Sequence, residues 1–145
     1  MRRSLLAIAL GVAFLILLTW LGTIATNDTP HNPTAPVQMK QAGPYSVTLQ
    51  VSPNPPPTTG PASLSLQVLL TSSQQPASNL RITLQSNMAA MDMGIDQVQA
   101  RSQGNGLYLA TVQFPMSGLW QIQVILSSPG IPPATAMFEI TAQSP

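Results

Sequence analysis

Three methionines within six residues, Met88, Met91 and Met93 in the run NMAAMDMG, are the one unusual concentration of donor atoms in this chain, and Met116 follows in a turn of its own. A thioether is a neutral, soft donor; two or three brought to one point select Cu(I) and need not lose a proton first. In an extended segment Met91 and Met93 share a face, and Met88 can reach the same point from the preceding loop. Met88, Met91, Met93 and Met116 are therefore the candidate metal ligands. Methionine also fills irregular core gaps, and a loop folded over the end of a β-domain uses such fillers. Composition by itself favours packing over metal, so both readings stand.

Other chemistries lack their residues. Cysteine is absent, which removes disulfides, thiolate zinc sites and thiol nucleophiles. The single histidine, His31, sits in a proline-bearing segment without a partner acid or thiol and reads as a solvated linker residue. A nucleophile–base pair needs a His, Lys or acid beside Ser or Thr, and from residue 40 onward only Lys40, Asp92, Asp96 and Glu139 offer themselves. Asp92 and Asp96 read as a solvated pair, or as partners of Arg81 or Arg101. The chain is expected not to be an enzyme and shows no small-molecule substrate site. Charged residues make up 6% of it and the net charge is +1, so no basic patch exists to hold nucleic acid.

The elements that must position the methionines follow from hydropathy. Residues 5–25 are 21 residues without a charge, long enough as a helix to cross a hydrocarbon core of about 30 Å. That exceeds the apolar stretch of about 7 to 15 residues in a secretory leader, so an uncleaved signal anchor is favoured over cleavage near Ala25. Arg2 and Arg3 precede the span and the next Lys or Arg is Lys40, which puts residues 1–4 in the cytoplasm and the remainder outside. Residues 26–42, rich in proline, are expected to be an extended spacer.

From residue 43 to 145 the chain alternates with period two, and proline or glycine cuts it at the spacing of a β-sandwich. Inward faces are expected from Tyr45 to Val51, Leu64 to Leu70, Leu80 to Leu84, weakly around 95–101, then Tyr108 to Phe114, Trp120 to Leu126 and Ala136 to Ile140. The fold class is thus all-β, one β-sandwich of about seven strands after a single transmembrane helix. Outward positions hold Gln and Thr, and the strand edges are expected to lack the lysines that discourage strand addition. Docking against a neighbour and adequate protection by short edges stand level on that pattern.

The segment GNGLYLA at 104–110 leading into FPMSGLW at 114–120, preceded by the methionine cluster and an apolar anchor, resembles the YtkA-like/FixH family. The resemblance implies an immunoglobulin-like sandwich akin to CopC copper proteins on an extracytoplasmic face, periplasmic or outer. It further implies copper handling or assembly of a respiratory oxidase, with Met88, Met91, Met93 and Met116 facing the metal. No histidine lies within the domain, which leaves Cu(I) rather than Cu(II) as the cofactor. The alternative is an accessory subunit that docks on a larger membrane complex, its methionines only packing. Gly106, Tyr108, Gly118 and Trp120 have structural roles under either reading: turn geometry, a hydroxyl held at a loop backbone and a core ring.

Overall fold

The computed structural model describes residues 34–145; the apolar run 5–25 and its expected anchor lie outside the described residues. Among the described residues no helix is long and apolar enough to cross a membrane, and every regular element is a strand. Period-two alternation is the cause. In β2 (Tyr45–Ser52), β3 (Pro61–Leu70), β4 (Arg81–Met88), β7 (Leu107–Gln113) and β8 (Gly118–Ser128), alternate side chains are buried, and those between are mostly polar, with Leu69, Leu107, Leu109, Leu119 and Ile125 as the large apolar exceptions. β9 (Ile131–Ala142) does the same from Ala134 onward.

Two antiparallel sheets result, one of order β1-β2-β3-β7-β6 and one of order β5-β4-β8-β9. Their inner faces meet in one core, with Leu49, Leu66 and Phe114 from the first side and Leu84, Ile122 and Phe138 from the second. Tyr108 is buried among them. Its hydroxyl donates to the Ala77 carbonyl at 2.9 Å and accepts from the Leu80 N–H at 3.2 Å, which fixes the long 71–80 connection to the sheet. Gly106, at φ +73°, lets the preceding turn lie against β3: a Cβ there would fall 2.5 Å from the Val68 carbonyl oxygen.

Among the described residues the strand count is nine rather than about seven. The expected spacer 26–42 ends earlier, because Val37–Ala42 forms β1 and pairs in register with β2, Val37 opposite Gln50 and Ala42 opposite Tyr45. The weak strand around 95–101 divides into β5 (Asp96–Gln99) and β6 (Arg101–Gly104), which belong to different sheets. Ala100 is the crossing point, its N–H donating to the Ile82 carbonyl. Prolines enter two strands where pairing tolerates them: Pro61 opens β3, and Pro132 and Pro133 lie near the start of edge strand β9.

The expectation of edges without protective charge is corrected. The four edge strands are β1, β6, β5 and β9, and each carries one exposed charge, Lys40, Arg101, Asp96 and Glu139 respectively. The inner strands carry none except Arg81 at the first position of β4. A charge on an edge must be desolvated before another strand can add, so this placement opposes sheet-to-sheet association. β1 and β9 are further joined by side chains in place of a ladder. Gln38 Nε2 donates to the Glu139 carbonyl at 2.6 Å, and the Thr141 N–H donates to Thr34 Oγ1 at 3.0 Å.

Candidate functional site

Antiparallel register brings four segments to one end of the sandwich. β4 finishes there with Met88 opposite Trp120, β8 starts there with Gly118 opposite Ala142, and Pro61 faces Gln113 on the other sheet. The 89–95 loop and the 114–117 loop therefore emerge side by side, tied by a hydrogen bond from the Ala89 N–H to the Leu119 carbonyl at 2.9 Å. Thr34, where the described chain begins, belongs to the same end, since its carbonyl accepts from Asn54 Nδ2 at 3.2 Å.

The four candidate methionines divide between core and surface. Met88 is 7% exposed and continues the inward row of Ile82, Leu84 and Ser86. Its methyl group lies beneath Gly118, where a Cβ would come within 2.7 Å of it. Met88 is thus a strand residue packed in the core, not a loop residue reaching outward. Met91, Met93 and Met116 are 53%, 51% and 38% exposed on the two neighbouring loops. Met91 and Met93 lie in a bend and irregular chain rather than in an extended strand.

Trp120 connects the two loops. Its Nε1–H donates to the Met116 carbonyl at 3.0 Å, and its ring meets Phe114 edge to face, centroids 5.5 Å apart. With Met93, Asp96, Gln113 and Pro115 it lines an open cleft of about 240 Å³. Alternation along β8 places Trp120 in the core. Its contact with the Met116 backbone depends on how the 114–117 turn folds back, which the pattern does not encode. Asp92 and Asp96 bring carboxylates to this end. Asp92 Oδ1 accepts from the Gly94 N–H at 3.3 Å and shapes the loop between Met91 and Met93.

Among the described residues no group of three or more His, Cys, Asp or Glu comes together, so the donors at this end are thioethers with two carboxylates beside them. Of the three exposed methionines Met93 lines the cleft beside Trp120 and Asp96, whereas Met91 and Met116 are not among its lining residues. The other methionines of the described chain, Met39 and Met137, stand exposed on edge strands β1 and β9.

Two facing antiparallel sheets define the class, a β-sandwich, here with methionine-bearing loops at one end. The YtkA-like family model matches residues 39–125, more than half of the 145 residues, and the chain belongs to that family. The match takes in both methionine-bearing loops. The crystal structure of a DUF4426 family protein from Pseudomonas aeruginosa PAO1 is similar at a TM-score of 0.53 and 10% identity, covering 73% of this chain and 94% of that one. That likeness is one of fold alone. No curated protein matches the chain.

Proposed function

We propose that this chain is a membrane-tethered, extracytoplasmic, non-catalytic module that binds Cu(I) through Met91, Met93 and Met116 and supplies it to a membrane complex such as a respiratory oxidase. The observation that carries the reading is the exposure of those three thioethers on adjoining loops joined through Trp120. Exposure by itself does not mark a ligand, since Met39 and Met137 are exposed singly on edge strands; it is the grouping of three on adjoining loops, apart from the buried Met88, that supports the reading. Met88 supports the floor of the site rather than the metal. Family membership and the apolar run 5–25 support the tethered, extracytoplasmic setting. The oxidase as recipient rests on the FixH side of the resemblance.

Replacing Met91 and Met93 together with Leu conserves volume on an exposed loop and costs the fold little, about 1.5 kcal/mol or less for each swap. The test is competitive Cu(I) titration of the parent chain and this double variant under reducing conditions. Binding in the parent, nearly unchanged between mildly acidic and neutral pH because thioethers have no proton to lose, and its loss in the variant, is expected. Equal binding in the two, or none in the parent, refutes the metal reading and leaves the docking module.

A further inference from the structure

Of ten large apolar side chains exposed on the described surface, five gather at the methionine-bearing end: Met91, Met93, Ile95, Met116 and Leu119. The other five are spread over β1, β7 and β9. A concentrated apolar tip on a sandwich whose remaining surface is polar, with isolated charges along its edges, marks a surface that meets something less polar than water.

The length of chain outside the structure indicates what it meets. Eight residues, 26–33, separate the apolar run 5–25 from Thr34, and Thr34 is fastened to the methionine-bearing end by its bonds to Asn54 and Thr141. Nine peptide steps reach at most about 30 Å. Ten-residue β3 is about 33 Å long, so the opposite turns stand about a domain length farther along the chain's reach. If the run 5–25 spans the bilayer, as the proposed function holds, the tether joins the domain at its methionine-bearing end rather than at the opposite turns.

Charge selects among possible occupants. The only charged side chains in or next to the 89–95 and 114–117 loops are Asp92 and Asp96, while Arg81 lies at the far end of β4 and Lys40 and Arg101 lie along edge strands. Two acidic tips facing each other repel, which opposes a second copy, and the charged edges oppose strand addition. An anionic lipid surface is opposed for the same reason. An uncharged or zwitterionic surface with apolar depth is not.

We propose that the methionine-bearing end rests on the bilayer its own tether enters, with Met91, Met93, Ile95, Met116 and Leu119 seated among zwitterionic headgroups. The contact is small, and a free domain would hold it weakly. Tethering raises the effective concentration to about the millimolar range, where a weak contact is populated. The inference depends on the membrane-anchor part of the proposed function and is independent of whether the methionines bind copper.

The chain has no cysteine, so single spin labels can be placed without background in the full-length, metal-free protein reconstituted in phosphatidylcholine vesicles. Leu15→Cys reports the apolar run, Ala90→Cys the tip, and Ser73→Cys the exposed 71–80 loop at the opposite end. The expected result is a Leu15 label shielded in lipid. The Ala90 label should be at least about threefold less accessible to an aqueous relaxant than the Ser73 label, the fall expected when the docked state holds about two thirds of the chains. Adding Met91→Ser, Met93→Ser and Ile95→Ser should restore access at Ala90 without changing the β-sheet circular dichroism, and vesicles rich in phosphatidylglycerol should weaken the protection. Equal access at Ala90 and Ser73 with Leu15 shielded overturns the docking and leaves the anchor intact. A water-exposed Leu15 label overturns the anchor and the docking with it. Protection at Ala90 that appears only at high protein-to-lipid ratio marks a second copy and also overturns the proposal.

Discussion

Trp120→Ala removes the side chain on which both the core and the candidate site depend. The indole is 4% exposed, meets Phe114 edge to face and stands opposite Met88 across the β4–β8 ladder. Truncating a buried aromatic of this kind costs about 3 to 5 kcal/mol. The lost Nε1 bond to Met116 adds little, because that carbonyl sits in an exposed turn and regains water. A loss of about 4 kcal/mol is a large share of an ordinary domain stability of about 5 to 15 kcal/mol. It lowers the unfolding midpoint by roughly 15 °C for a domain near one hundred residues. Arg101→Ala, on an exposed edge, should stay within about 0.5 kcal/mol of the parent. Thermal and urea unfolding followed by circular dichroism measures both. If the two variants unfold within 1 kcal/mol of each other, roughly the spread of ordinary surface substitutions, then Trp120 is not packed as described and the register of β8 is wrong.

Tyr108→Phe keeps the ring and deletes one hydroxyl, leaving the Ala77 carbonyl and the Leu80 N–H without their partner; a cost of about 1 to 3 kcal/mol is expected in denaturant unfolding, and an unchanged midpoint would show that the 71–80 connection is held some other way. Neutralising two edges together, Lys40→Val with Glu139→Val, should leave the unfolding midpoint nearly unchanged but raise concentration-dependent light scattering. The same change at Arg81, on an inner strand, should not. Identical scattering for both would remove the protective role assigned to edge charge.

Strands that bury a face were legible in the sequence, and those that bury none were not. β2, β3 and β8 announce themselves mainly through alternating Leu, Val and Ile, and β7 through Tyr108, Ala110 and Val112, whose burial drives their formation. In β1 only Ala42 is buried, and β6 buries nothing. Both are held largely by backbone pairing to a neighbour, which leaves no mark in side-chain pattern, so β1 read as spacer and the division of β5 from β6 was invisible. Lys40 and Arg101 could not be assigned to edges until those strands were known.

The methionine site was legible as a concentration of residue type and only partly as geometry. Its separation into one core residue and three exposed ones was available in principle. Counting by two from Ile82 through Leu84 and Ser86 arrives at Met88, so the strand's own period places that side chain inward. The polar Ser86 and Asn87 interrupt the apolar signal and end the strand too early on hydropathy alone. Ser86 is small enough to be buried without breaking the row. The pairing of the 89–95 and 114–117 loops comes from long-range register between β4 and β8, and local sequence carries no trace of it.

The central claim, that the exposed thioethers at one end of the sandwich take Cu(I), is tested most directly by methyl NMR of protein labelled at the methionine ε-carbons. The sequence has seven methionines, and Leu substitutions assign their signals one by one. Titration with Cu(I) under reducing conditions should shift the Met91, Met93 and Met116 methyl resonances together and saturably, while Met88 beneath Gly118, and Met39 and Met137 on the edge strands, stay in place. No saturable shift, or shifts spread equally over Met39 and Met137, would contradict the account.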